Sequence, residues 1–268
     1  MSDKQPQPAA PVPAATIMML RPARDGTANL EVFMVVRHHQ IDFASGALVF
    51  PGGKADENDF DTALLPYLTG ADEDANMRAI QVCAIREAFE ECGILLARPQ
   101  GSEQLVDAAR LEQLEPYREQ LNSGAVGILE FLEREQLNLA CDTLVHFAHW
   151  ITPDMMPKRF DTHFYLALAP DDHLAVHDGY ESVDSIWITP EQALADAAAG
   201  TRTVIFPTLR NIEKLGKWQN VTAAMEATAA STVVPVLPWT ERRDDGTYLC
   251  IPPEAGYQVS EEKMPERG

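Results

Sequence analysis

The chain has 268 residues, with 21 Lys and Arg against 41 Asp and Glu, a formal charge of −20 and an isoelectric point near 4.6. A hydrophobic fraction of 46% with 23% charged residues is the balance of a folded globular protein, which excludes disordered and fibrous chains. The acidity excludes broad binding to phosphate backbones, so no nucleic-acid partner is expected. No apolar run nears the roughly 20 residues of a membrane span, so no membrane partner is expected.

Residues 1–13, rich in Pro, Ala and Gln, are expected as a mobile tail. The start has neither a basic region followed by an apolar run nor an Arg-rich composition, and a cytoplasmic setting follows by default. Strands are predicted at Ala15–Leu20, Glu31–Arg37 and Ala47–Phe50, the last closing in Pro51-Gly52-Gly53. Residues 54–75 read as acidic and irregular. A helix is predicted from Asn76 to about Leu96, with a stop near Gly93. Residues 102–140 carry broken helical spacing, an expected helical insert. Further strands are predicted at Thr143–Ile151, Phe160–Ala169 and Ser185–Ile188, with a helix capped by Thr189 and a shorter one over Thr208–Leu215. Residues 14–240 are expected as one domain, and 241–268 as a hairpin and polar tail. The mixture indicates an α/β or α+β class. Cys83, Cys92, Cys141 and Cys250 contain no CxxC pair, and His38, His39, His146, His149 and His163 show no metal-ligand spacing.

Wound at 100° per residue, Val82, Ile85, Phe89 and Cys92 form an apolar stripe, with Glu87, Glu90 and Glu91 opposite at i, i+3 and i+4. Such a face is most often merely solvated. Clustered carboxylates are also what hard divalent cations select, and Arg86, beside Glu90, is placed to orient them. Paired glycines at Gly52-Gly53 let backbone approach a metal or phosphate. Gly93 follows at once, so the acids occupy the helix's last turn, where the dipole disfavours anions unless a cation compensates.

The run Arg86-Glu87-Ala88-Phe89-Glu90-Glu91-Cys92-Gly93-Ile94 resembles the second half of the Nudix box. Its first half begins at Gly53 and reaches Asp59 where that family has Glu, with about nineteen extra residues before Arg86. Asp59 is one methylene shorter than Glu, and Asp56 or Glu57 could stand opposite Arg86 instead. The split box, with Val49-Phe50-x-Gly52-Gly53, is similar to the Nudix branch of acyl-CoA diphosphatases. The resemblance implies an α/β/α sandwich with a mixed sheet and Mg²⁺- or Mn²⁺-dependent hydrolysis of a nucleoside diphosphate linked to another group. It further implies Glu87, Glu90, Glu91 and the Gly52 carbonyl as metal ligands, Arg86 as their orienting partner and Glu87 as a candidate base. Glu181 is the candidate for an additional catalytic acid. Gly53, Lys54, Arg37 and Arg159 are candidate contacts to a small-molecule nucleotide-diphosphate substrate. CoA or acyl-CoA is the first expectation, although Asp42 stands where related CoA enzymes carry Arg. NADH, ADP-ribose, dinucleoside polyphosphates, or binding without cleavage are the alternatives. A homodimer is allowed for.

Overall fold

The computed structural model describes residues 9–24, 29–37, 46–173 and 182–264. A mixed sheet forms its centre, from β1 (Val12–Pro22), β2 (Leu30–Arg37), β3 (Leu48–Val49) and β4 (Gly52–Lys54), with strands from later in the chain. β1 buries side chains on both faces, as a central strand must: Ile17 and Met19 face one hydrophobic cluster, Met18 and Leu20 the other. It starts at Val12, inside the expected tail, because Val12 N–H bonds Arg159 carbonyl at 2.9 Å and the strand runs parallel to a later one.

After β4 the chain makes 3₁₀ turns at Glu57–Phe60 and Thr62–Tyr67 and a short β5 (Leu68–Thr69), order that the expectation of an irregular segment missed. Helix α1 (Ala75–Cys92) follows. Asp74 caps its start by accepting the Asn76 and Met77 amides, and Gly93, at φ 67°, supplies the left-handed stop. β6 (Ala97–Pro99) leads into the insert, which holds α2 (Ala108–Leu114), α3 (Tyr117–Asn122), α4 (Ile128–Glu135) and β7 (Leu137–Ala140). β7 joins β5 and β6 in a separate small sheet, so the insert is anchored to the segment that splits the box.

The central sheet is completed by β8 (Val145–Ile151), β9 (Phe160–Leu168) and β10 (Ser182–Ile188). Then come α5 (Pro190–Ala198), α6 (Phe206–Leu215), α7 (Val221–Ala229) and β11 (Pro235–Val236). The strand order is β10-β2-β1-β9-β8-β11, with β3 on β2 and β4 on β1; β1–β9 and β8–β11 are parallel and the other pairs antiparallel. α1 and the insert cover one face, and α5, α6 and α7 the other. The architecture is thus an α/β/α sandwich with a mixed sheet and a helical insert.

The C-terminal stretch is more than a hairpin. β12 (Trp239–Arg243), β13 (Gly246–Cys250) and β14 (Glu261–Lys263) form a three-stranded sheet, and β12 runs across the boundary expected at 240/241. Ile251, Ala255 and Tyr257 are buried in the second core. Tyr257 links that segment to the sandwich, accepting from Trp150 Nε1 and donating to Asn211 Oδ1, each at 2.8 Å. Among the described residues no helix is long and apolar enough to cross a membrane.

The histidines correct the sequence expectation. Antiparallel β8 and β9 set His149 opposite His163 and Ile151 opposite Asp161, and His149, Asp161 and His163 offer ligand atoms within 4.8 Å of one another. Cross-strand register made this cluster, and linear spacing does not display register.

Candidate active site

α1 is enclosed on both sides, which a helix with a solvated acidic face would not be. Cys83 and Cys92, nine residues apart on opposite faces, are both buried. The Cys83 side lies on the sheet, its Sγ 3.8 Å from the Gly53 carbonyl. Phe89 stacks on Phe131 of α4, with ring centroids 5.7 Å apart. Glu90 and Glu91 are only 6% and 7% exposed. Taking carboxylates out of water is costly without partners, so their surroundings account for the site.

Arg86 is the principal partner. Its Nη1 donates to Glu87 Oε1 at 2.9 Å and to Glu90 at 3.2 Å, while Nε and Nη2 grip both oxygens of Asp59 at 3.0 Å. Nη2 also donates to the Lys54 carbonyl at 3.0 Å. Asp59, 2% exposed, therefore makes the two-pronged ion pair in place of the longer acid. Asp56 instead caps the first 3₁₀ turn. Its carboxylate accepts the Asn58 amide, its own amide donates to Asp59 Oδ2 at 2.8 Å, and this reciprocal box fixes Asp59 facing Arg86.

The diglycine is fitted to these acids. Gly52 N–H donates to Glu91 Oε2 at 2.9 Å, and at φ +150° a Cβ there would lie 2.2 Å from the Ala15 carbonyl oxygen. A Cβ on Gly53 would lie 2.5 Å from the Glu87 carboxylate. Gly53→Ala is therefore expected to displace Glu87 and cut turnover roughly 100-fold, the usual result of a misplacement near 1 Å. Unchanged kinetics in a folded variant, checked by circular dichroism, would refute the fit.

Three carboxylates, of Asp59, Glu87 and Glu90, thus converge on the Arg86 guanidinium, and Glu91 lies beside them on the Gly52 amide. Burial, opposed by Arg86 and reinforced by Glu90, pushes the Glu87 carboxyl up to about 7. An acid raised by folding favours the fold while protonated. That stability is whole below its ordinary value near 4.5 and is lost as pH rises through about 7. Metal-free protein is therefore expected to lose about 3 kcal/mol relative to Glu87→Gln between acid and mildly alkaline pH, read by urea unfolding. A pH-independent difference would refute the buried, strained carboxyl.

Hard oxygen donors, clustered, shielded from solvent and under a backbone cradle too tight for a Cβ, are a donor set that fits a divalent cation. In this arrangement Arg86, rather than a common centre, gathers Glu87 and Glu90, and Gly52 holds Glu91.

These groups line a cleft of about 1300 Å³. The α3–α4 loop, the β8–β9 loop with Met155 and Met156, the start of α6 at Phe206, and the C-terminal sheet form its other walls. Lys54 is exposed at its edge. Arg159 is engaged elsewhere, a correction to its candidacy: it donates to the Thr152 carbonyl at 3.0 Å and the Ala9 carbonyl at 2.7 Å and pairs with Asp154 at 2.6 Å, tying strand ends together. Arg37 ends β2, its backbone opposite Ser182. Glu181, His38, His39 and Asp42 lie outside the described residues. Sequence reasoning missed Arg118 of α3, whose Nε and Nη2 donate to the Glu90 carbonyl at 3.2 and 3.1 Å and supply positive charge at the end of α1. Its only local signal is a basic residue in the insert.

Residues 71–215 match the family model of the NUDT19 Nudix domain, a span that holds the α1 glutamates and begins after the diglycine. Acyl-coenzyme A diphosphatase NUDT19 of Xenopus laevis is 24% identical over 213 residues, covering 65% of this chain and 56% of that protein. Putative nudix hydrolase 7 of Caenorhabditis elegans is 26% identical over 186 residues, covering 69% and 56%. The chain spans little more than half the length of these relatives. The crystal structure of a NUDIX hydrolase from Alicyclobacillus acidocaldarius has the same fold, with a TM-score of 0.68 and 24% identity over 84% of this chain and 99% of that one.

Proposed function

We propose, since the chain belongs to the NUDT19 Nudix domain family, that it is a Mg²⁺- or Mn²⁺-dependent pyrophosphohydrolase acting on CoA or acyl-CoA. The observation that carries the reading is the cluster of Glu87 and Glu90 on Arg86 and Glu91 on the Gly52 amide, which lines the cleft. Glu87, Glu90, Glu91 and the Gly52 carbonyl would hold the cation. When bound, such an ion neutralises phosphate oxygens and acidifies an attacking water.

The chain's own residues prepare that chemistry. Arg86, anchored by Asp59, keeps the Glu87 and Glu90 carboxylates from swinging into solvent, so little reorganisation remains when charge develops. Glu87, beside Gly53 at the cleft, is the candidate to accept the proton of the attacking water. Gly53, without a side chain, leaves the Glu87 carboxylate accessible, and Lys54 at the cleft edge is placed for a substrate phosphate. Arg37 and Glu181 remain the candidates for a second phosphate contact and an added acid. Arg159 has no part in this reading.

The cleft supports the choice of substrate. Its far wall carries Met155 and Met156, which are adaptable, partly exposed thioether side chains suited to variable acyl groups. The Xenopus laevis relative is named an acyl-coenzyme A diphosphatase. Hydrolysis of the phosphoanhydride would give (acyl) phosphopantetheine and adenosine 3′,5′-bisphosphate. All four cysteines are buried, in keeping with a reducing compartment such as the cytoplasm.

The purified chain, incubated with Mg²⁺ or Mn²⁺ and with CoA, an acyl-CoA, NADH, ADP-ribose or a dinucleoside polyphosphate, is expected to release these two products from the CoA compounds, as identified by mass. Cleavage confined to another compound would move the substrate class. Tight binding with no cleavage of any would overturn the enzyme reading.

A further inference from the structure

β8 and β9 carry a second polar cluster that the glutamate site does not use. Thr162 and Phe164 line the cleft, so the alternating residues Asp161 and His163 belong to the opposite face of β9. His149 pairs with His163 across the strands, their rings stacked at 3.9 Å between centroids. His149 Nε2 hydrogen-bonds Asp161 Oδ1.

His146 joins them through a defect in the strand. Two-residue alternation back from His149 would bring Phe147 onto the histidine face and send His146 into the apolar core. The register shifts between His146 and Ala148, and Phe147 instead buries itself among Phe164 and Leu166. His146 then stands opposite Tyr165, with its Nε2 3.0 Å from His163 Nδ1. The register shift thus buries Phe147 and sets one imidazole against a second, and bulges commonly re-aim side chains at functional sites.

We infer that His149, Asp161 and His163 form a second metal site, selective for a transition-metal ion of the zinc class, with His146 positioning His163. Two imidazoles and one carboxylate are softer than the all-oxygen glutamate set and leave a coordination position open, as zinc sites with three protein ligands do. A ligating histidine characteristically uses its other ring nitrogen in a hydrogen bond that fixes its orientation, and the His146–His163 pair is that arrangement. Asp161 and His149 are part-exposed, which gives the ion a way in. The ion would clamp β8 to β9 at the root of the loop that carries Met155 and Met156.

Cobalt is the probe. Chelator-treated full-length protein, with excess Mg²⁺ present to occupy the glutamates, is titrated with Co²⁺ and then with Zn²⁺. One equivalent of Co²⁺ is expected to give the intense visible bands of a low-coordinate site with nitrogen ligands, and Zn²⁺ is expected to abolish them and raise the melting temperature. Asp161→Asn, at a part-exposed position, is expected to weaken binding at least tenfold, and His146→Gln about 10- to 100-fold. Glu90→Gln is expected to leave the bands in place. In the unaltered protein, Zn²⁺ is expected to shift the imidazole nitrogen resonances of His149 and His163, a reading that needs no variant. Faint octahedral bands alone, bands lost in Glu90→Gln but kept in Asp161→Asn, or unmoved imidazole resonances would each overturn the second site, whatever the hydrolysis assay shows.

Discussion

Glu90→Gln is expected to lower kcat/KM for the cleaved pyrophosphate on the order of 1000-fold, about 4 kcal/mol of transition-state stabilisation. The substitution keeps the side chain's shape and removes one charge from a carboxylate 6% exposed and 3.2 Å from Arg86. Stability should move the other way or stay level, because one of several crowded like charges has gone. Loss of turnover with undiminished resistance to urea is therefore the signature of an acid kept for chemistry. A residue kept for packing would give the reverse, a weakened fold with turnover per folded molecule intact, and that result would end the proposal for Glu90.

Asp59→Ala has the largest expected effect on the fold, a loss of about 3–5 kcal/mol in urea unfolding, the range for breaking one side of a buried ion pair. Two prongs from Arg86 at 3.0 Å and the Asp56 amide at 2.8 Å all end on this carboxylate, whose side chain is inaccessible to solvent. Removing it frees the Arg86 head and unlatches the first 3₁₀ turn together. Turnover is expected to fall as well, because Glu87 and Glu90 then share a guanidinium with no anchor. A loss under about 1 kcal/mol would mean that Glu87 and Glu90 suffice to hold Arg86, since that is the worth of an ordinary exposed pair.

Much of this was legible along the chain. The i, i+3, i+4 placement of three acids ahead of Gly93 identified α1 and the acids that the structure gathers beside Gly52-Gly53, and alternation placed most central strands. What escaped depends on groups brought together from afar. Asp59 is the right partner of Arg86 because a capping box aims it, which chain length alone does not foretell. Arg118 acts on α1 from a helix 28 residues further on. The histidines converge only once β8 and β9 are in register. Helix α7, Val221–Ala229, was overlooked because its Ala- and Thr-rich sequence shows only a faint apolar stripe. Arg159 is the opposite case: a cation beside a strand reads locally as a ligand contact, whereas its donors hold carbonyls at strand ends.

The separation of the box into two pieces has a wider consequence. Gly53 and Arg86 meet through β1, β4 and α1, while the intervening stretch packs outward onto the insert through β5 and β7. Lengthening such a detour costs little, about 0.6 kcal/mol for each doubling of a flexible connection. What the geometry asks of these groups is nearness in space, rather than any count of intervening positions. Chains with still longer excursions at the same point could assemble the same cluster of acids while evading every fixed-interval signature written for it.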